Sequence, residues 1–98
     1  MANVKLELDE KQHGAFNLYD GESKIGEMVI GIKNDVITVY HTEVDEDQSG
    51  KGYAKLLLDA MTTYARQNKL MVRALCVYVL GQFKRHPEEY ADIWLKEE

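Results

Sequence analysis

Two glycines one residue apart, Gly50 and Gly52, stand where a β-branched run gives way to an amphipathic one. The stretch reads Val36-Ile-Thr-Val-Tyr-His-Thr-Glu-Val44, then Asp45-Glu-Asp-Gln-Ser-Gly-Lys-Gly-Tyr-Ala54. Unpaired backbone N–H groups at a helix start, approached closely because glycine has no side chain, make a seat for a phosphate or diphosphate. A flexible helix entry is the plainer reading of the same pattern. Cys76 is the lone cysteine. It closes an apolar run and precedes a further helix, and the positive end of a helix favours a thiolate nucleophile. Packing as a small hydrophobe is the alternative. Strict alternation puts His41 on one strand face with Ile37, Val39 and Glu43. There it is either a hydrogen-bonded core histidine or a general base able to deprotonate Cys76.

The elements that must position these groups follow from periodicity. Val4, Leu6 and Leu8 alternate with Lys5, Glu7 and Asp9, as in a half-buried strand. Phe16 and Leu18 continue the pattern up to a turn at Asp20-Gly21. A third run spans residues 24 to 32 and ends in Lys33-Asn34-Asp35, a second turn. Val36 to Val44 is the strongest strand. The first half therefore reads as an antiparallel meander. From Tyr53 the period changes: Leu56, Leu57, Ala60, Met61, Tyr64 and Ala65 fall on one helical face. Leu70 to Cys76 is a short strand, so strand, helix and strand form one parallel βαβ unit. Val79, Leu80 and Phe83 suggest another helix, which Pro87 stops after a non-helical His86. Glu88 to Leu95 reads as a last short helix. Ligands of a parallel unit bind at the carboxyl ends of its strands, where the Gly50/Gly52 loop and Cys76 converge.

Bulk properties narrow the field. Ninety-eight residues with 45% hydrophobic content predict one folded domain, residues 1–98. The net charge of −5, without a compensating basic cluster, argues against nucleic acid. No apolar run reaches the ~20 residues that span a bilayer, and no signal peptide is evident, so a cytoplasmic location is expected. A single cysteine fits a reducing compartment. Metal-ligand spacings are absent, so no metal is expected. His13 and His86 read as surface residues, the latter beside Lys84 and Arg85.

The order of meander, strand, glycine loop, amphipathic helix and parallel strand resembles the cofactor motif of the GCN5-related N-acetyltransferases (GNAT). Their diphosphate loop has the form (Gln/Arg)-x-x-Gly-x-(Gly/Ala). Here Gly52, Tyr53 and Ala54 match its last positions, while Ser49 replaces Gln or Arg and Gln48 is displaced by one. The segments His41-Thr-Glu-Val44, the Gly-x-Gly loop, Cys76 and Arg85-His-Pro-Glu-Glu-Tyr-Ala-Asp92 are similar to a short, cysteine-containing, single-domain branch of that family. The resemblance implies an α/β (α+β) fold: a mixed sheet of antiparallel meander plus one parallel βαβ unit, a main helix and a helical C-terminus. It implies an acetyl-coenzyme A-dependent N-acetyltransferase acting on an unidentified amine. Val44, Gly50, Lys51, Gly52, Tyr53 and Ala54 would contact the cofactor, and Cys76 and His41 would be catalytic. Full-length relatives carry two helices between their first two strands, for which this chain has no room. A coenzyme A-binding or protein-interaction module without turnover is therefore the alternative, with a protein partner or a second copy of the chain as further expectations.

Overall fold

A computed structural model describes residues 2–96. Five strands form one sheet in the order β1-β2-β3-β4-β5: β1 (Ala2–Leu8), β2 (His13–Asp20), β3 (Ser23–Lys33), β4 (Val36–Val44) and β5 (Met71–Ala74). Helix α1 (Tyr53–Gln67) joins β4 to β5, and α2 (Val77–Arg85) and α3 (Pro87–Tyr90) follow. The first three pairings are antiparallel; β4 and β5 run parallel from Val36↔Met71 to Val39↔Ala74. This is the mixed sheet expected from the sequence.

Local chemistry sets the turns. The Asp9 carboxylate accepts the N–H groups of Lys11 (2.8 Å) and His13 (3.0 Å), closing the β1–β2 connection. Asn34 (φ 51°) and Asp35 (φ 64°) form the two-residue β3–β4 hairpin, where two left-handed residues match the strand twist. One sheet face carries Phe16, Leu18, Met28, Ile30, Ile37 and Val39, all buried with Leu57, Leu58, Met61 and Ala65 of α1. Phe83 stacks on Tyr90 at 4.7 Å between centroids and brings α2 and α3 into the same core. The opposite sheet face is polar. Lys5, Asn17, Glu27 and Glu43 lie in one cross-strand row, and Glu7, Ala15, Val29 and His41 in the next.

The last element departs from expectation. Only Pro87–Tyr90 is helical, and His86 ahead of it is non-helical (φ −127°, ψ 58°). The chain then turns beside β5, where Val72 N–H donates to Ile93 O (2.7 Å) and Leu95 N–H donates to Val72 O (2.9 Å). The free edge of β5 outcompetes a second helical turn for these backbone groups. No described helix is long and apolar enough to cross a membrane.

Candidate functional site

The two parallel strands part while β4 still has five residues to run. The carbonyl of Val39 accepts both Leu75 N–H (3.0 Å) and Cys76 N–H (2.9 Å), and the ladder ends there. β4 continues from Tyr40 to Val44 paired only with β3. At about 3.3 Å per residue this leaves an open strand edge of roughly 16 Å. Its unpaired N–H and C=O groups can take up an extended ligand carrying amides of its own.

The glycine loop lies beyond that edge. Asp45 N–H donates to Ile25 O (2.9 Å), fixing the exit of β4. Asp45 caps a short 3-10 turn, Glu46–Gln48, so the acidic trio belongs to that turn rather than to the start of α1. Gly50 (φ 80°) and Gly52 (φ 77°) are left-handed, and a methyl added at either meets nothing within 4 Å. Gly52 is the N-cap of α1, without a side-chain cap, and the first helical bond is Leu56 N–H to Gly52 O (3.2 Å). Among the described residues no protein group accepts the N–H groups of Gly50, Lys51, Gly52, Tyr53, Ala54 or Lys55. The first turn of α1 holds no acid to offset the helix dipole. Lys51 Nζ donates to Gln48 Oε1 (3.0 Å), adding a cation at the loop. Six unclaimed donors, a helix start and open space suit an anion with several acceptor oxygens, such as a diphosphate.

Cys76 is the N-cap of α2 and is 5% exposed. Its Sγ lies 3.2 Å from Thr42 Oγ1 across the parting strands. Sequence reasoning missed Thr42, and the reason is a β-bulge. Val29 pairs with His41 but Ile30 pairs with Val39, leaving Tyr40 as an extra residue. The extra residue inverts the alternation. Ile37 and Val39 face the core, Tyr40 is 51% exposed, and Thr42 and Val44 return to the core side. The same inversion corrects the placement of His41. It does not share a face with Val39. It points to the opposite sheet face, where Nε2 lies 3.4 Å from Glu43 Oε1, and its side chain is 59% exposed. His41 and Cys76 are thus not brought together. Tyr78, the second residue of α2, was also missed; burial raises its phenol, with Lys55 opposing the effect and Asp59 and Cys76 adding to it. Among the described residues, no group of three or more His, Cys, Asp or Glu side chains could hold a metal ion.

Comparison with known proteins fits this geometry. The sequence profile described as GCN5-related N-acetyl-transferase matches residues 15–93. A GCN5-like protein of Staphylococcus aureus superimposes over 98% of this chain and 90% of its own, with a TM-score of 0.72 and 28% identity. A ribosomal-protein-alanine N-acetyltransferase of Brucella melitensis biovar Abortus superimposes with a TM-score of 0.64 over 91% of this chain and 66% of that one, at 18% identity. The ribosomal-protein-S18-alanine N-acetyltransferase of Escherichia coli does so with a TM-score of 0.60 over 65% of this chain, at 15% identity. This chain spans 42% of the length of that enzyme. The two ribosomal-protein acetyltransferases share the fold at these identities. No curated protein matches the chain.

Proposed function

The chain belongs to the GCN5-related N-acetyltransferase family, and from that premise we propose that residues 1–98 form one acetyltransferase domain using acetyl-coenzyme A. The observation that carries the reading is the run of six N–H groups, Gly50 to Lys55, without an acceptor among the described residues. They hold the diphosphate, with Lys51 alongside. Pantetheine then runs along the open edge of β4 past Val44, exchanging amide hydrogen bonds with it, and its thioester end comes toward Cys76 and Thr42.

In the direct route a neutral amine attacks the thioester carbonyl. The new C–N bond forms, the C–S bond breaks, the amine loses a proton and the departing thiolate gains one. Backbone N–H groups on the open edge of β4 stabilise the oxyanion. In the two-step route Cys76 Sγ attacks the thioester carbonyl with Thr42 Oγ1 donating to the thiolate, the bond to coenzyme A breaks and its thiolate takes up the Cys76 proton. The amine then attacks the acetyl-Cys76 carbonyl, loses a proton and releases the Cys76 thiol. His41 has a place in the direct route only, as a base acting from the open sheet face, because it does not reach Cys76. A reducing, cytoplasmic setting belongs to the two-step route, since the thiol must stay free.

A second reading, coenzyme A binding without turnover, is favoured by one observation. A tight turn over residues 9–12 joins β1 to β2, so no helices wall off an acceptor pocket on the polar face. Calorimetry with acetyl-coenzyme A, followed by intact-mass analysis after incubation with an amine panel, separates the readings. Binding with an acetylated amine or an acetylated Cys76 supports the enzyme. Binding without any transfer supports the module. Absence of heat, with no shift of the Gly50 to Ala54 amide resonances, overturns both.

A further inference from the structure

At the outer edge of β5, away from the glycine loop, lies a depression of about 390 Å³. It is lined by the apolar Leu75, Leu80, Trp94 and Leu95 and by the cationic Arg73, Lys84 and Lys96. The chain carries 17 acidic residues against 12 Lys and Arg, yet among the described residues no acidic side chain lines this depression. The volume falls within the range of small-molecule sites. We propose that it binds a small amphipathic carboxylate, with the apolar body on Leu75, Leu80 and Trp94 and the carboxylate on the cationic side chains.

The charge count sets the ligand's charge. Arg73 donates to Thr38 Oγ1 (3.2 Å). Lys96 sits over the Trp94 ring, 4.6 Å from its centroid. Lys84 has no hydrogen-bond or ion partner among the described residues. One uncommitted cation beside two engaged ones suits a single negative charge. Leu75 is 56% exposed, and covering it removes apolar surface from water. The site stands independently of the acetyl-transfer reading, because none of its lining residues belongs to the glycine loop or the thiol pair.

The test uses the full chain and its own reporter, since Trp94 is the only tryptophan. Trp94 fluorescence is titrated with 3-phenylpropanoate and, as the uncharged isostere, 3-phenylpropanamide. A saturable change with the carboxylate is expected, weaker by roughly tenfold or more with the amide and in Lys84→Glu, and smaller in loss for Lys84→Gln. Amide shifts confined to Leu75, Leu80 and Lys96 would locate the probe. A non-saturating response, equal binding of the amide, or unchanged affinity in Lys84→Glu overturns the proposal. Circular dichroism of each variant identifies any loss of fold, and Lys84 is exposed, so none is expected.

Discussion

Replacing Gly52 with alanine separates the cost of folding from the cost of binding. At φ 77° an L-residue is strained by about 1–2 kcal/mol. No clash is added, because a methyl group there meets nothing within 4 Å. For a domain of this size that strain lowers Tm by roughly 4–16 °C, a tolerable part of a stability of about 5–15 kcal/mol. Binding is affected more. The methyl group occupies the space through which the diphosphate approaches the loop N–H groups. Charge-assisted hydrogen bonds contribute about 1.5–3 kcal/mol each, so losing two weakens binding by roughly 10²- to 10⁴-fold. Gly21 supplies the control. It has φ 63°, a methyl there also meets nothing within 4 Å, and it lies in the β2–β3 turn. Gly21→Ala therefore carries a similar strain without touching the loop. Calorimetry with coenzyme A and thermal unfolding of both variants give the comparison. Similar losses of Tm with binding lost only in Gly52→Ala are expected. Affinity within threefold of the parent in Gly52→Ala, or an equal loss in Gly21→Ala, refutes the assignment of the loop.

Cys76→Ser should keep coenzyme A affinity and abolish any acetylated-protein peak in the intact mass; a persisting adduct would place the acyl group on another residue. Thr42→Val removes the one side-chain hydrogen-bond partner of the buried thiol among the described residues, at a cost of about 0.5–1.5 kcal/mol by urea denaturation, and no measurable loss would mean that the contact is idle. His41→Ala should leave the rate of Cys76 alkylation unchanged, because the two residues face opposite sides of the sheet; a tenfold slower rate would contradict the register of β4. The Arg66 guanidinium, paired with Asp92 at 2.9 Å and 3.2 Å, holds that carboxyl below its ordinary value. A depressed acid stabilises the fold above its unfolded pKa and loses that contribution as pH falls through the folded one. Arg66→Ala should accordingly cost up to about 1 kcal/mol near neutral pH and less in acid, measured as Tm against pH; a loss that does not diminish in acid would attribute the effect to packing and to the Arg66 bond to the Glu89 carbonyl (2.8 Å) rather than to the ion pair.

Much of the architecture was written in periodicity. Alternation marked β1, the β-branched run marked β4, and the spacing of Leu57, Met61 and Ala65 marked α1. These patterns are local, and burying one face of each element leaves few arrangements. The left-handed hairpin of Asn34 and Asp35 and the glycines at 50 and 52 were legible for the same reason, since short-range sterics govern backbone φ. The family's signature segments gave the loop its candidate ligand.

What the sequence left undecided depends on neighbouring strands. A bulge arises from how β4 meets β3, and nothing in His-Thr-Glu announces which residue will be extra. That one residue sent His41 to the polar face and brought Thr42 to Cys76. The shortened last helix has the same origin: Ile93 and Leu95 exchange hydrogen bonds with Val72, a partner about twenty residues away, and helical propensity carries no information about a vacant sheet edge. The amino-acid order thus determined the elements and the anion-seeking loop. Only tertiary pairing decided which side chains face the thiol, because register is a property of two strands and not of one.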